Sequence, residues 1–158
     1  MATLPKSSFF AKIRGFITHT MPAKPQSADK EKPEAKPGRG GKKILIVEDE
    51  RPLAHALELK FQHEGFDTTV CVNGKDALEE ALKNKYDMIL LDLIMPQMDG
   101  FTFMEELKSR KKNCQIIILS NLGQDEDRMR SKELGAVDYF VKSNTPITDI
   151  IKRVKTAL

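Results

Sequence analysis

Cysteine is scarce in this chain. Only Cys71 and Cys114 occur, and no C-x-x-C or Cys/His cluster surrounds them. That excludes a disulfide framework and a zinc site, and it suits a reducing compartment. Both are read as inert thiols. The histidines, His19, His55 and His63, stand at no metal-ligand spacing and are read as ordinary surface or half-buried side chains. No G-x-x-x-x-G-K-[ST] stretch is present, which excludes a P-loop nucleotide site. Long apolar runs are also missing. None approaches the roughly 20 residues that a membrane-spanning helix needs. In residues 1–21, Lys12 and Arg14 interrupt the apolar residues, so no signal-peptide core forms.

What is present divides unevenly. Residues 1–43 hold ten Lys/Arg against three Asp/Glu, a net +7, whereas residues 44–158 hold sixteen against twenty, a net −4. A nucleic-acid-binding domain would more often carry its positive charge on the folded part, so direct nucleic-acid binding is not expected. The 158 residues fit one domain plus an appendage.

Residues 22–42, "PAKPQSADKEKPEAKPGRGGK", lack large apolar side chains and read as a flexible linker, semi-extended where proline recurs. Ahead of it, Phe9, Phe10, Ile13, Phe16, Ile17 and Met21 fall at helical spacing, with Lys6, Lys12 and Arg14 among them and Ser7 or Ser8 available as a cap. An amphipathic helix within 1–21 could lie on an anionic membrane, dock in a partner groove through residues 6–21, or pack on the folded part.

From residue 43 on, short apolar runs alternate with amphipathic stretches. Strands are expected at Ile44–Val47, about Asp67–Val72, Met88–Leu91, Gln115–Leu119 and about Asp138–Val141. Helices are expected at about Pro52–Glu64, Lys75–Asn84, Phe101–Ser109, after the polar loop "SNLGQDED" to Leu134, and from about Pro146 to the C-terminus. Gly65 should end the first helix, Asn73 should cap the second and Thr145 the last. Strict strand–helix alternation argues for a parallel sheet with helices on both faces. The second strand, the least apolar, should lie at an edge.

In such sheets ligands bind beyond the carboxyl ends of the strands. Glu48, Asp49 and Glu50 follow the first strand, Asp92 the third, Ser120 the fourth and Lys142 the fifth. Asp92 lies inside the run "MILLDLIM", where a lone buried carboxylate must be paired, metal-bound or neutralised. Glu48, Asp49 and Asp92 together offer the hard oxygens that Mg²⁺ prefers. Asp92 is then a candidate nucleophile toward phosphorus, forming an acyl phosphate. Lys142 would offset phosphoryl charge and Ser120 would donate a hydrogen bond to it. Singly, each residue reads equally well as a turn cap, a loop serine or a snorkelling lysine. Their joint placement carries the inference.

With "ILIVEDE", "DMILLDLIMPQMDG", "IIILSNLGQDED" and "GAVDYFVKS", the chain over 43–158 resembles the receiver domain of bacterial two-component response regulators, here of a stand-alone type without an output domain. The resemblance implies a flavodoxin-like α/β fold with a five-stranded parallel sheet in the order 2-1-3-4-5. It implies Asp92 as phosphoacceptor, and Glu48 and Asp49 as the acidic pair. Asp49 and the backbone carbonyl of Ile94 would be Mg²⁺ ligands, Ser120 and Lys142 the partners of the phosphoryl group, and Tyr139 the switch aromatic. It further implies a sensor histidine kinase or phosphotransfer protein as donor. The downstream protein target would contact the face made by the fourth helix, fifth strand and fifth helix. The expected location is cytoplasmic, peripheral to the inner membrane face if the N-terminal segment binds lipid. Two side chains should tune hydrolysis, Ile94 and Leu122. Both are apolar here, which predicts a long-lived phosphoryl group. One departure stands out: many receivers have proline directly after the lysine, whereas "SNTP" follows Lys142.

Three other readings compete. A flavin-binding flavodoxin needs a hydroxyl-rich loop where this chain has three acids. A haloacid-dehalogenase-type phosphatase needs a second acid at the position of Ile94. A receiver-like scaffold that is never phosphorylated is separable only by assay.

Overall fold

The computed structural model describes residues 41–158. The expected helix within 1–21, and the linker up to residue 40, lie outside the described residues. Strands β1 (Lys43–Val47), β2 (Asp67–Cys71), β3 (Met88–Leu91), β4 (Gln115–Ser120) and β5 (Ala136–Val141) alternate with helices α1 (Arg51–His63), α2 (Gly74–Lys83), α3 (Gly100–Ser109), α4 (Asp125–Leu134) and α5 (Ile147–Ala157). The strands pair in parallel in the order β2-β1-β3-β4-β5, the flavodoxin-like arrangement expected. β2 is indeed an edge.

The sheet is apolar on both faces because helices cover both. Leu45, Val47, Ile89, Leu91, Ile116 and Ile118 point to one side, into a cluster with α2 and α3. Ile44, Ile46, Met88, Leu90, Ile117 and Leu119 point to the other, toward α1 and α5. Successive residues of a strand face opposite ways, so each central strand must be apolar throughout. Phe61 of α1 is fully buried there and meets Phe66 edge-on, with ring centroids 5.7 Å apart.

Local signals explain most boundaries. Pro52 stands in the first turn of α1, and Gly65 follows its end with φ +89°, a left-handed backbone that suits glycine. Asn73 caps α2, its side chain accepting the Asp76 N–H at 2.8 Å. Two expectations need correction. α4 starts at Asp125, so "DED" of the polar loop is its first turn, where acids complement the helix dipole. The N-cap of α5 is Pro146, which has no side-chain acceptor, so the Thr145 cap does not form. Where many receivers have a proline, Lys142–Asn144 makes one 3₁₀ turn instead. β5 also starts two residues earlier than expected, because a register shift against β4 accommodates Val137 as an extra residue.

Candidate functional site

Parallel strands in register deliver their following residues to one edge. Val47 lies beside Leu91. Glu48 and Asp92 are therefore neighbours just past the sheet, and the Asp92 N–H still bonds the Val47 carbonyl at 2.9 Å. Ser120 ends β4 opposite Val141, which puts Lys142 one residue beyond. The topology thus assembles groups up to 94 residues apart in sequence.

Lys142 ties the site together. Its Nζ donates to Glu48 Oε1 at 2.7 Å and to Asp92 Oδ2 at 2.5 Å. All three side chains are buried, with Glu48 1% and Asp92 4% exposed. The second oxygen of Asp92, Oδ1, accepts the Ile94 N–H at 3.1 Å. The remaining oxygen of Glu48, Oε2, is buried without any hydrogen-bond partner. Burial pushes the Glu48 carboxyl above its ordinary range, and the hydrogen bond and charge of Lys142 only partly offset this. Burial works against the Lys142 ammonium, but its bonds to Asp92 and Glu48 outweigh that and its pKa is raised.

One ammonium between two buried carboxylates leaves the cluster a positive charge short. Carboxylate oxygens of Glu48, Asp49 and Asp92 lie within 4.8 Å of one another, with Asp49 exposed at the mouth. Hard oxygen donors, surplus negative charge and an orphaned buried oxygen fit a small divalent cation such as Mg²⁺.

A pocket of about 370 Å³ opens over this cluster, lined by Asp49, Glu50, Asp92, Ile94, Asn121 and Lys142. The sequence places Glu50 at this edge without a role and does not single out Asn121. The only signal for Asn121 is adjacency to Ser120. Ile94 is 55% exposed at the rim, an unusual position for a large apolar side chain. Ser120 and Leu122 are placed differently. Ser120 is fully buried, and its Oγ accepts the Leu122 N–H at 3.3 Å. Leu122 is half-buried against the α2–α3 cluster and does not line the pocket. Tyr139 lies half-buried behind them. Its hydroxyl donates to the Leu122 carbonyl at 2.7 Å, and the Arg128 guanidinium sits 4.7 Å from its ring centroid.

Gly100 sets the approach of α3 to this edge. A Cβ there would stand 2.5 Å from the Asp92 carbonyl oxygen and 2.9 Å from Leu93 Cα. The "MDG" stretch needs glycine for close backbone contact, and Asp99 before it caps α3 by accepting the Thr102 N–H at 2.9 Å.

Fold and site together define a five-stranded parallel α/β domain with a buried acid–lysine cluster at the carboxyl edge of its sheet. Residues 44–155 match the family model described as response regulator receiver domain, and the chain belongs to that family. It is 38% identical over 116 residues to response regulator ArlR of Staphylococcus saprophyticus, covering 73% of this chain and 52% of that protein. It is likewise 38% identical over 115 residues to transcriptional regulatory protein SrrA of Staphylococcus aureus, covering 73% and 47%. The chain thus spans about half the length of these curated relatives. Among solved structures, the receiver domain of Francisella response regulator 1452 superposes with a TM-score of 0.71 at 34% identity, covering 74% of this chain and 96% of that one. Response regulator TrrA from Thermotoga maritima, solved in complex with Mg(2+)-BeF, gives 0.66 at 31% identity, covering 74% and 99%. Among the described residues no helix is long and apolar enough to cross a membrane.

Proposed function

We propose that the protein is a phosphorylation-dependent switch that accepts a phosphoryl group on Asp92. The observation that carries this reading is the pairing of Asp92 and Glu48 through Lys142 beside an orphaned carboxylate oxygen. An Asp92 carboxylate oxygen bonds to phosphorus as the phosphorus–nitrogen bond of a phosphohistidine breaks, and the electron pair leaves with the imidazole nitrogen. Lys142 already touches Asp92 Oδ2, so its ammonium lies within reach of the incoming phosphoryl oxygens. Asp49, Glu48, Asp92 and the Ile94 carbonyl would hold Mg²⁺, whose charge would offset that of the transferring group. The buried Ser120 hydroxyl and the Tyr139 side chain would report the new group: Ser120 by turning to bond it, Tyr139 by exchanging its bond to the Leu122 carbonyl.

The donor would be a sensor histidine kinase or a phosphotransfer protein. The receiver catalyses only its own phosphoryl transfer and slow dephosphorylation. Its downstream protein target would read the face formed by α4, β5 and α5. That face suits a switch because α4 buries only Ser131 and is weakly anchored to the core. Residues 6–21 supply an additional contact with a membrane or a partner, at the cytoplasmic face.

The test is incubation of the full chain with acetyl phosphate and Mg²⁺, read by intact mass. One added phosphoryl group is expected, and none on Asp92→Asn. Equal labelling of the variant would move the acceptor elsewhere. No labelling of the folded parent from either acetyl phosphate or a phosphohistidine donor would favour the unphosphorylated scaffold.

A further inference from the structure

The opposite end of the domain is strongly basic. In parallel strand–helix units every helix runs back against the strands, so helix C-termini gather at the amino ends of the strands. Lys83 and Lys108 stand in the last turns of α2 and α3, where the negative end of the helix dipole attracts a cation. That accounts for these two. It does not account for Lys43 at the start of β1, Lys85 in the α2–β3 loop, or Lys111 and Lys112 in the α3–β4 loop.

These groups are adjacent. Lys112 donates to the Asn84 carbonyl at 3.4 Å, which joins the α3–β4 loop to the loop holding Lys85. Lys43 donates its backbone N–H to Asp87, the residue that ends the same loop. Two of the nearby acids are already engaged, Asp87 with Lys42 and the Lys43 N–H and Glu106 with Arg110, whereas Asp67, opposite Lys43 in register, leaves that lysine less dominant than the other three. The side chains of Lys43, Lys85 and Lys111 are exposed and have no partner among the described residues.

From this surface we infer a docking face for an anionic bilayer, formed by Lys43, Lys85, Lys111 and Lys112. Three observations favour a lipid surface. The charge is spread over two loops and the start of β1 and is carried by lysine, which matches a diffuse negative potential. Helix C-termini, not N-termini, point here, so there is no convergence of N–H groups for one localised phosphate. A nucleic acid would also gain from exposed aromatics, but the rings at this end are half-buried, Phe66 edge-on against Phe61 and Tyr86 with its hydroxyl bonded to Glu80 at 2.5 Å. Beside Lys112 opens a groove of about 510 Å³, lined also by Lys108 and Asp87, with apolar residues that include Leu107, Leu134 and Val137, against which the stems of these two lysines can lie.

The sequence adds a further observation. The basic, lysine-rich residues 22–42 join the domain at this end, ahead of β1, and before them come the apolar and basic residues 6–21. Charge at the far end has the opposite sign. Glu48, Asp49, Glu50 and Asp92 gather there, and Asp125, Glu126 and Asp127 open α4. In the field of an anionic surface such a domain orients with its basic end down. Asp92 then faces away from the lipid, open to a phosphodonor. The inference does not rest on phosphorylation of Asp92, and its test leaves that residue untouched.

The test is co-sedimentation of the full chain with phosphatidylglycerol–phosphatidylcholine vesicles and with pure phosphatidylcholine vesicles, at low and high salt. A charge-reversed pair at the basic end, Lys85→Glu with Lys111→Glu, is compared with a pair of equal charge change elsewhere, Lys75→Glu with Lys152→Glu. Thermal melts establish that both pairs fold. The parent should bind only the anionic vesicles and be released by salt. The basic-end pair should bind about tenfold more weakly than the control pair. No binding by the parent would overturn the inference. So would equal weakening by the two pairs, which would make net charge the cause, or unchanged binding by the basic-end pair, which would leave residues 6–21 as the sole contact. Tighter binding of the parent to duplex DNA than to vesicles at matched salt would reassign the surface to nucleic acid.

Discussion

Replacing Lys142 with methionine, similar in length and without charge, tests the physics of the site directly. In the parent one ammonium serves two carboxylates, at 2.7 Å and 2.5 Å, and both carboxylates are more than nine-tenths buried. Removing the cation leaves two adjacent buried acids with no counter-charge in a metal-free buffer. Breaking a buried pair by deleting one partner costs about 3–5 kcal/mol. For a domain of this size about 4 °C of melting temperature accompanies each kcal/mol, so the variant should melt about 12–20 °C lower in EDTA at neutral pH. The pH dependence has a definite sign. Glu48 already has a folded-state pKa raised above its ordinary value by burial, with Lys142 opposing. A raised carboxyl pKa means the folded state binds the proton more tightly, so stability is lost as pH rises through the window above the unfolded value. Without Lys142 the opposing influence is gone and the window widens upward. The deficit of Lys142→Met should therefore shrink on acidification toward pH 5. Added Mg²⁺ should also restore part of it, by returning positive charge to the cluster. The assay is urea or thermal unfolding of parent and variant across pH, with EDTA and with Mg²⁺. A loss below about 1 kcal/mol that changes with neither pH nor metal would refute the reasoning, because it would mean that water, not Lys142, neutralises the acids.

Two more outcomes follow from single positions. Ile94 lines the pocket while Leu122 packs behind it, so Ile94→Asn should speed decay of the phosphorylated protein, by the rate equivalent of about 1–3 kcal/mol, and Leu122→Glu should do less. Equal decay of the parent and Ile94→Asn, followed by intact mass in Mg²⁺, would dismiss apolar shielding at that position. Gly100→Ala would force a Cβ against the Asp92 carbonyl at 2.5 Å, so it should cost about 1–3 kcal/mol of stability in urea melts and slow labelling of Asp92.

Much of this protein is legible in the sequence because its central strands are short and apolar and are spaced by amphipathic helices. The alternation that predicts a doubly wound sheet is the same pattern that buries Ile46 toward α1 and α5 and Val47 toward α2 and α3. Asn73 and Gly65 announce their turns through local chemistry, which needs no tertiary partner. Asp92, Glu48 and Lys142 could be placed at one edge because a parallel sheet delivers every strand end to the same side. Other features depend on packing between distant segments. Whether Thr145 or Pro146 caps α5 depends on the turn after Lys142, and the "DED" of the α4 entry is read equally well as loop or first turn until the helix is placed. No periodicity reveals that Glu48 is buried with an oxygen unpartnered, that Lys142 divides its ammonium between two acids, or that Leu122 packs half-buried against the α2–α3 cluster while Ile94 stays at the rim. Those facts arise from which side chains meet once five strands close in register, and that is decided by distance in space, not by spacing along the chain.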